Sequence, residues 1–280
     1  MVTKILASLF LTALSFTVSA QNEEYVQQGE FGITLGAAHY FGDINTRASI
    51  SRPKPALGLF YRKQFGNYVG LRLAAHYAQL GYSDVYSQND YQQSRNLSFN
   101  TNIWEIALMG DFNFFKFLPN NPDYLFTPYI TLGVGVFSYD PYAYLDSKKE
   151  FLRPLGTEGQ NINYQGRKQY GTMAVCVPFG VGVKYNMSEK INLSFEVSHR
   201  YTFTDYLDDV STTYVGIDKF SGPAASTARL LQDRSYEIDP DNIIGLEGRQ
   251  RGTSKQKDQY LIVELGVSFN ISTYRCPTAN

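Results

Sequence analysis

The stretch Ile191–Phe203, INLSFEVSHRYTF, decides the fold class. Ile191, Leu193, Phe195, Val197, Tyr201 and Phe203 fall on odd positions, and Asn192, Ser194, Glu196, Ser198, Arg200 and Thr202 on even ones. A period of two puts these sets on opposite faces of an extended strand. One face is apolar to its end and closed by aromatics; the other is polar and charged. A soluble sandwich buries the first face and wets the second. A membrane barrel does the reverse, with lipid outside and a polar interior.

Outward from this strand, the same alternation predicts strands at 31–41, 56–64, 68–80, 102–115, 125–138, 172–185 and 259–271. In the run 102–115, for example, Trp104, Ile106, Leu108, Phe112 and Phe114 oppose Glu105, Ala107 and Asp111. With 191–203 these make an even set of eight, each long enough to cross a bilayer when tilted. Their connections alternate. Residues 65–67, 116–123 and 186–190 are short; 42–54, 81–101, 139–171 and 204–258 are long and polar. All short connections therefore fall on one rim and all long ones on the other, as in barrels with periplasmic turns and external loops. The reading is all-β: one eight-stranded antiparallel transmembrane β-barrel domain over residues 21–280.

Composition agrees with this choice. Aromatic residues make up 15% and charged residues 18% of the chain, which suits half-buried strands with aromatic girdles. A net charge of -1 gives a nucleic-acid partner no electrostatic support. Mean hydropathy is negative, which argues against a helical membrane protein but not against strands apolar on one face. Met1–Ala20 reads as a signal peptide: Lys4, an apolar run from Ile5 to Phe16, then Val18-Ser19-Ala20 as a small-residue cleavage site. The expected location is the bacterial outer membrane.

The polar strand faces collect Arg62, Arg72, Lys184 and Arg200, with Glu105, Asp111, Glu196 and Glu264. The signs balance. In so narrow a barrel side chains fill the lumen, and buried charges must pair or carry a desolvation penalty. The expectation is a plugged barrel held by an internal ion-pair network.

Little in the sequence carries chemistry. His39, His76 and His199 lie on different strands, and Ser198 and His199, as neighbours on one strand, point to opposite faces. The expectation is a non-enzymatic protein without metal or cofactor. Asp205, Asp208 and Asp209 are oxygen ligands of the kind hard cations favour, but the spacing of a calcium loop is absent, so they read as a solvated acidic loop. In the same connection, 224–231 reads as a short helix behind Gly222-Pro223. Residues 248–252, GRQRG, read as a basic turn, either facing phosphate or solubilising the loop. Cys176 and Cys276 read as two unpaired thiols.

Several stretches together resemble a known family: EFGITLGAAHYFGDIN at 30–45, DFNFFKF at 111–117 with TPYITLGVGVF at 127–137, RYTFTDYLDDVSTTY at 200–214, QDRS at 232–235 and RQRGTSKQKDQY at 249–260. They are similar to the PorG-like outer-membrane β-barrels of the Bacteroidota. The resemblance implies an accessory barrel of the type IX secretion system, in contact with a periplasmic ring lipoprotein and its partner. Such a ring would meet the short-turn rim. Lys116 and Asp123 bound the connection expected to dock there, and Tyr274, Arg275 and Cys276 lie in the tail beyond the last strand. The rival readings are a stand-alone surface barrel binding a ligand or protein through its external loops, and a lipid-modifying barrel enzyme.

Overall fold

The computed structural model describes residues 27–119 and 121–272. Residues 1–20, where a signal peptide is expected, and the tail positions Tyr274, Arg275 and Cys276 lie outside the described residues. Eight long strands form the wall: β1 (Gln27–Phe41), β2 (Lys54–Phe65), β3 (Val69–Ser83), β4 (Ser98–Asn113), β5 (Phe126–Ser138), β8 (Met173–Asn186), β9 (Ile191–Thr202) and β10 (Gln259–Ser272). Two short strands, β6 (Tyr142–Leu145) and β7 (Lys148–Phe151), make a hairpin within the connection from β5 to β8.

Each wall strand pairs antiparallel with its neighbour in the chain, β5 with β8 across the hairpin, and β1 pairs with both β2 and β10. The sheet is thereby closed into an eight-stranded antiparallel barrel of the transmembrane type. Register keeps the alternation in phase around the wall. Ile33 faces Val267 and Val267 faces Leu193, all outward, while Gly36 faces Glu264 and Glu264 faces Glu196, all inward.

Residues that a soluble protein would bury lie exposed outside. Leu35, Trp104, Leu132, Val134 and Leu265 are each more than 60% exposed. On β8 the outward row runs from Val175 to Tyr185. At about 3.3 Å per residue and a tilt of about 45° it spans about 23 Å of height, close to the apolar band of an outer-membrane barrel. Aromatics border the belt: Phe65, Tyr68, Phe114, Phe115, Phe126 and Tyr185 at the short-turn end, Trp104, Tyr77, Tyr201 and Phe203 at the other. Among the described residues no helix is long and apolar enough to cross a membrane.

The turns show why the short rim is short. Between β2 and β3, Gly66 sits at φ +73°, a left-handed conformation that costs glycine little. Between β8 and β9, Met187 N–H donates to Ile191 O at 2.9 Å. Three strands start earlier than the alternation predicts, β1 at Gln27, β2 at Lys54 and β4 at Ser98. The connection from β4 to β5 carries a 3₁₀ turn at Pro122–Tyr124, with Asn121 accepting from Asp123 N–H.

The long connections are not loose. They hold α1 (Asp90–Arg95), α2 (Leu152–Leu155) and α3 (Ala225–Gln232) and share an apolar core that includes Leu97, Leu152, Leu155, Leu207, Val215, Phe220, Ala228 and Leu231. This core is continuous with Tyr40, Phe99, Phe137 and Tyr260 at the end of the wall. The external connections therefore form a folded cap.

Candidate functional site

All eight ionisable residues expected inside the barrel are buried and face the lumen. The structure gathers them into two networks. Nearer the short turns, Arg62 pairs with Glu30 and Asp111, Asp111 lies 3.3 Å from Arg72, and Arg72 donates to Glu196 at 2.7 Å. Tyr129 O–H also donates to Glu196, at 2.7 Å, and Lys184 Nζ stands 3.9 Å from Glu30. Three cations thus meet three carboxylates. Gly182 makes room for Tyr129: a Cβ there would fall within 2.5 Å of the tyrosine ring.

Toward the cap, His76 lies between two carboxylates, Nδ1 3.1 Å from Glu105 and Nε2 3.4 Å from Glu264. Arg200 is 3.4 Å from Glu105, Tyr260 O–H donates to Glu105 at 2.6 Å, and Thr34 donates to Glu264 at 2.8 Å. The Cys176 thiol is buried and also faces Glu105, at 3.6 Å.

The eight predicted positions omit Glu30, His76, Tyr129 and Tyr260. Glu30 was legible, because Glu30, Gly32 and Thr34 continue the polar set opposite Phe31, Ile33 and Leu35. The two tyrosines sit on polar faces by the same count. That His76 meets Glu105 depends on the β3–β4 register, which the sequence does not state.

Both ends of the lumen are covered. At the short-turn end, Phe117 folds inward from the β4–β5 connection, is 2% exposed and lies 5.6 Å from Lys184 Nζ. At the other end the cap closes over Tyr40 and Tyr260.

All four long connections are knotted together within the cap. Arg95 of α1 donates twice to Asp84 at 2.7 Å, and also to the carbonyls of Arg251 at 2.7 Å and Asp43 at 3.0 Å. Glu158 accepts from Ser211 N–H at 2.9 Å, Thr212 O–H at 2.6 Å and Arg251 at 3.2 Å. Asp209 accepts from Thr157 and from Tyr170 O–H, and Arg251 approaches it at 3.7 Å. Burial pushes the Asp209 carboxyl up to about 6, against the pull of Arg251.

Two readings of this connection are corrected. Asp205, Asp208 and Asp209 are buried, not solvated, because the connection folds back over them. In the basic turn 248–252 Arg249 is exposed as expected, but Arg251 is 2% exposed, so its charge serves Glu158 and Asp209, not a phosphate or the solvent. The predicted helix is α3, with Ala228 and Leu231 turned into the cap core. Among the described residues no group of three or more His, Cys, Asp or Glu side chains is placed to hold a metal ion.

His199 faces outward, beside Phe41 and Phe179 and 2.7 Å from Gln259, while Ser198 is fully buried on the inner face. The two do not form a nucleophile–base pair. On the short-turn rim, Asp123 is exposed and the Lys116 ammonium lies over the Tyr124 ring at 4.9 Å. The described ends of β1 and β10 reach this rim as well.

Among solved structures, the chain is similar to the N-terminal β-barrel domain of Pseudomonas aeruginosa OprF (11% identity, covering 87% of this chain and 100% of that one, TM-score 0.37). It is also similar to Neisserial surface protein A (9% identity, 89% and 100%, TM-score 0.40) and to Ail, the attachment invasion locus protein of Yersinia pestis (10% identity, 87% and 99%, TM-score 0.37). These are slight likenesses of fold; the barrel is established by its own strand register. No curated protein matches the sequence. A family model described as a domain of unknown function, DUF6089, matches residues 3–215, and the chain belongs to that family.

Proposed function

We propose that this chain is a non-enzymatic outer-membrane barrel that works through its rims rather than its lumen, as an accessory component of the type IX secretion machinery. The observation that carries the first half is the filled interior. Paired charges occupy its length, Phe117 covers one end and the folded cap the other. A barrel so filled has no path for a solute, so its work lies in what it touches: outer-membrane lipid around the belt and proteins at the rims.

The assignment to type IX secretion is supported by the family resemblance of the sequence. The geometry is compatible with it, since Lys116 and Asp123 share a rim with both ends of the described chain. A periplasmic ring lipoprotein and its partner are the proposed contacts there. The test is a pull-down of the tagged native protein from outer membranes in mild detergent, read by mass spectrometry. Recovery of the ring lipoprotein and its partner, weakened by Lys116→Glu with Asp123→Lys or by ending the chain after Ile271, supports the assignment. Recovery of the barrel alone refutes it.

The second reading, a stand-alone surface barrel, is favoured by the folded cap. Ile217, Ile238 and Leu246 lie exposed on it, a presentable outer surface. Surface-exposed proteins in the same pull-down, unaffected by the rim substitutions, would support this reading.

A further inference from the structure

Tyr40, at the end of β1, stands between two carboxyl groups. Its hydroxyl is 2.5 Å from Asp208 Oδ2 and 3.0 Å from Asp258 Oδ1. The second oxygen of each carboxyl is already satisfied: Asp208 Oδ1 accepts from Val210 N–H and Asp258 Oδ2 from Leu207 N–H, both at 2.9 Å. All three side chains are 1% exposed or less. A tyrosine hydroxyl has one proton and can donate it to only one of the two oxygens. The other contact needs a proton from its own carboxyl. Two ionised carboxylates around one hydroxyl would repel in a site that water does not reach.

We propose that Asp208 and Asp258 share one retained proton through Tyr40, and that this proton is a latch holding the 203–258 connection shut over the barrel. The position suits the role, because Asp208 and Asp258 stand at the two ends of that connection and Tyr40 belongs to the wall. The same ends are joined by Asp258 N–H donating to Thr204 O at 3.1 Å.

The surroundings favour the proton. Tyr40, Asp43, Arg95, Tyr139 and Asp205 face the pair, and of these only Arg95 is cationic, already engaged by Asp84. Asp205 keeps one buried oxygen without a partner. Burial, then the neighbouring carboxylates, raises Asp208 and Asp258 well above the ordinary range, and burial brings Asp205 to about 7. A carboxyl raised on folding stabilises the closed state only while it keeps its proton. The latch is therefore full below the ordinary carboxyl range near pH 4 and is lost as pH rises through the raised values.

The test is hydrogen–deuterium exchange of the full chain in lipid nanodiscs between pH 5 and 9, each value taken as a ratio to Asp208→Asn at the same pH so that intrinsic exchange cancels. Asparagine keeps the acceptor for Val210 and supplies a permanent donor toward Tyr40. The expected result is that opening of 203–215 in the native protein rises relative to the variant as pH increases, by up to about tenfold per pH unit for one proton lost. Exchange in the barrel strands stays unchanged. Asp258→Asn is the second variant and should flatten the response equally, since one neutral partner is enough. A ratio that does not change with pH for either variant overturns the latch. So does restoration of protection at high pH by millimolar calcium, which would make the pair a cation site.

Discussion

Arg62 and Arg72 stand directly opposite each other in the β2–β3 register, both pointing into the lumen. Like charges in that position are destabilising. Asp111, from the next strand round the wall, relieves the conflict by meeting both guanidiniums. Glu30 and Glu196 take the remaining face of each arginine. The cluster is more a device of arrangement than a source of stability, because desolvation offsets much of the attraction when ion pairs are buried.

Removal of one member should therefore be costly. Asp111→Ala leaves two facing guanidiniums without their common anion, and the expected loss is about 3–5 kcal/mol in urea unfolding from lipid vesicles. Adding Arg62→Met in the same background should recover much of it, since the unmatched cation is then gone while Glu30 keeps Lys184 and Glu196 keeps Arg72. A wild-type unfolding midpoint for Asp111→Ala would show that the pairing is incidental.

The fold was legible because the outside of this barrel is simple. Strands such as β9 alternate along nearly their whole length, His199 alone breaking the apolar row, and the contrast of Leu193 and Phe195 with Ser194 and Glu196 fixes both the element and its two environments. The interior charges were legible for the same reason. The cap was not. Asp205, Asp208, Asp209 and Arg251 look in sequence like any polar loop residues, and their burial depends on partners from other connections, Glu158 and Tyr170 among them. The two-residue period reports which way a side chain points from a strand, but no local pattern reports that a loop folds back over itself.

The lipid-facing assignment has a built-in probe. Trp104 is the single tryptophan of the chain, is 64% exposed on the outer wall and packs at 4.8 Å against Tyr77. In vesicles containing brominated acyl chains its fluorescence should be strongly quenched, with aqueous acrylamide having little effect. The opposite pattern would place this face of β4 in water and contradict the transmembrane reading.

A filled lumen also fixes an electrical expectation. Reconstituted in planar bilayers, the protein should show no large, stable conductance at neutral pH. Phe117→Gly should leave this unchanged, because the paired charges behind the ring still occupy the interior. A steady porin-like current from the native chain would mean that the networks part to leave a channel.

The cap should be separable from the barrel. Arg251 neutralises Glu158 and Asp209 at the point where the 139–172 and 203–258 connections meet, and its backbone carbonyl accepts from Arg95 of the 84–97 connection. Arg251→Ala leaves two buried carboxylates without their cation, at a cost of about 3–5 kcal/mol borne by the cap. The wall does not share this loss, since its ladder is closed by β1 and β10 without help from the loops. Limited trypsin digestion in detergent should therefore cut the variant within 203–258 far faster than the native chain, while the strands remain folded and resist unfolding as before. If the variant loses barrel and cap together, the cap is part of the barrel's folding unit, and the wall's independence from its loops is disproved.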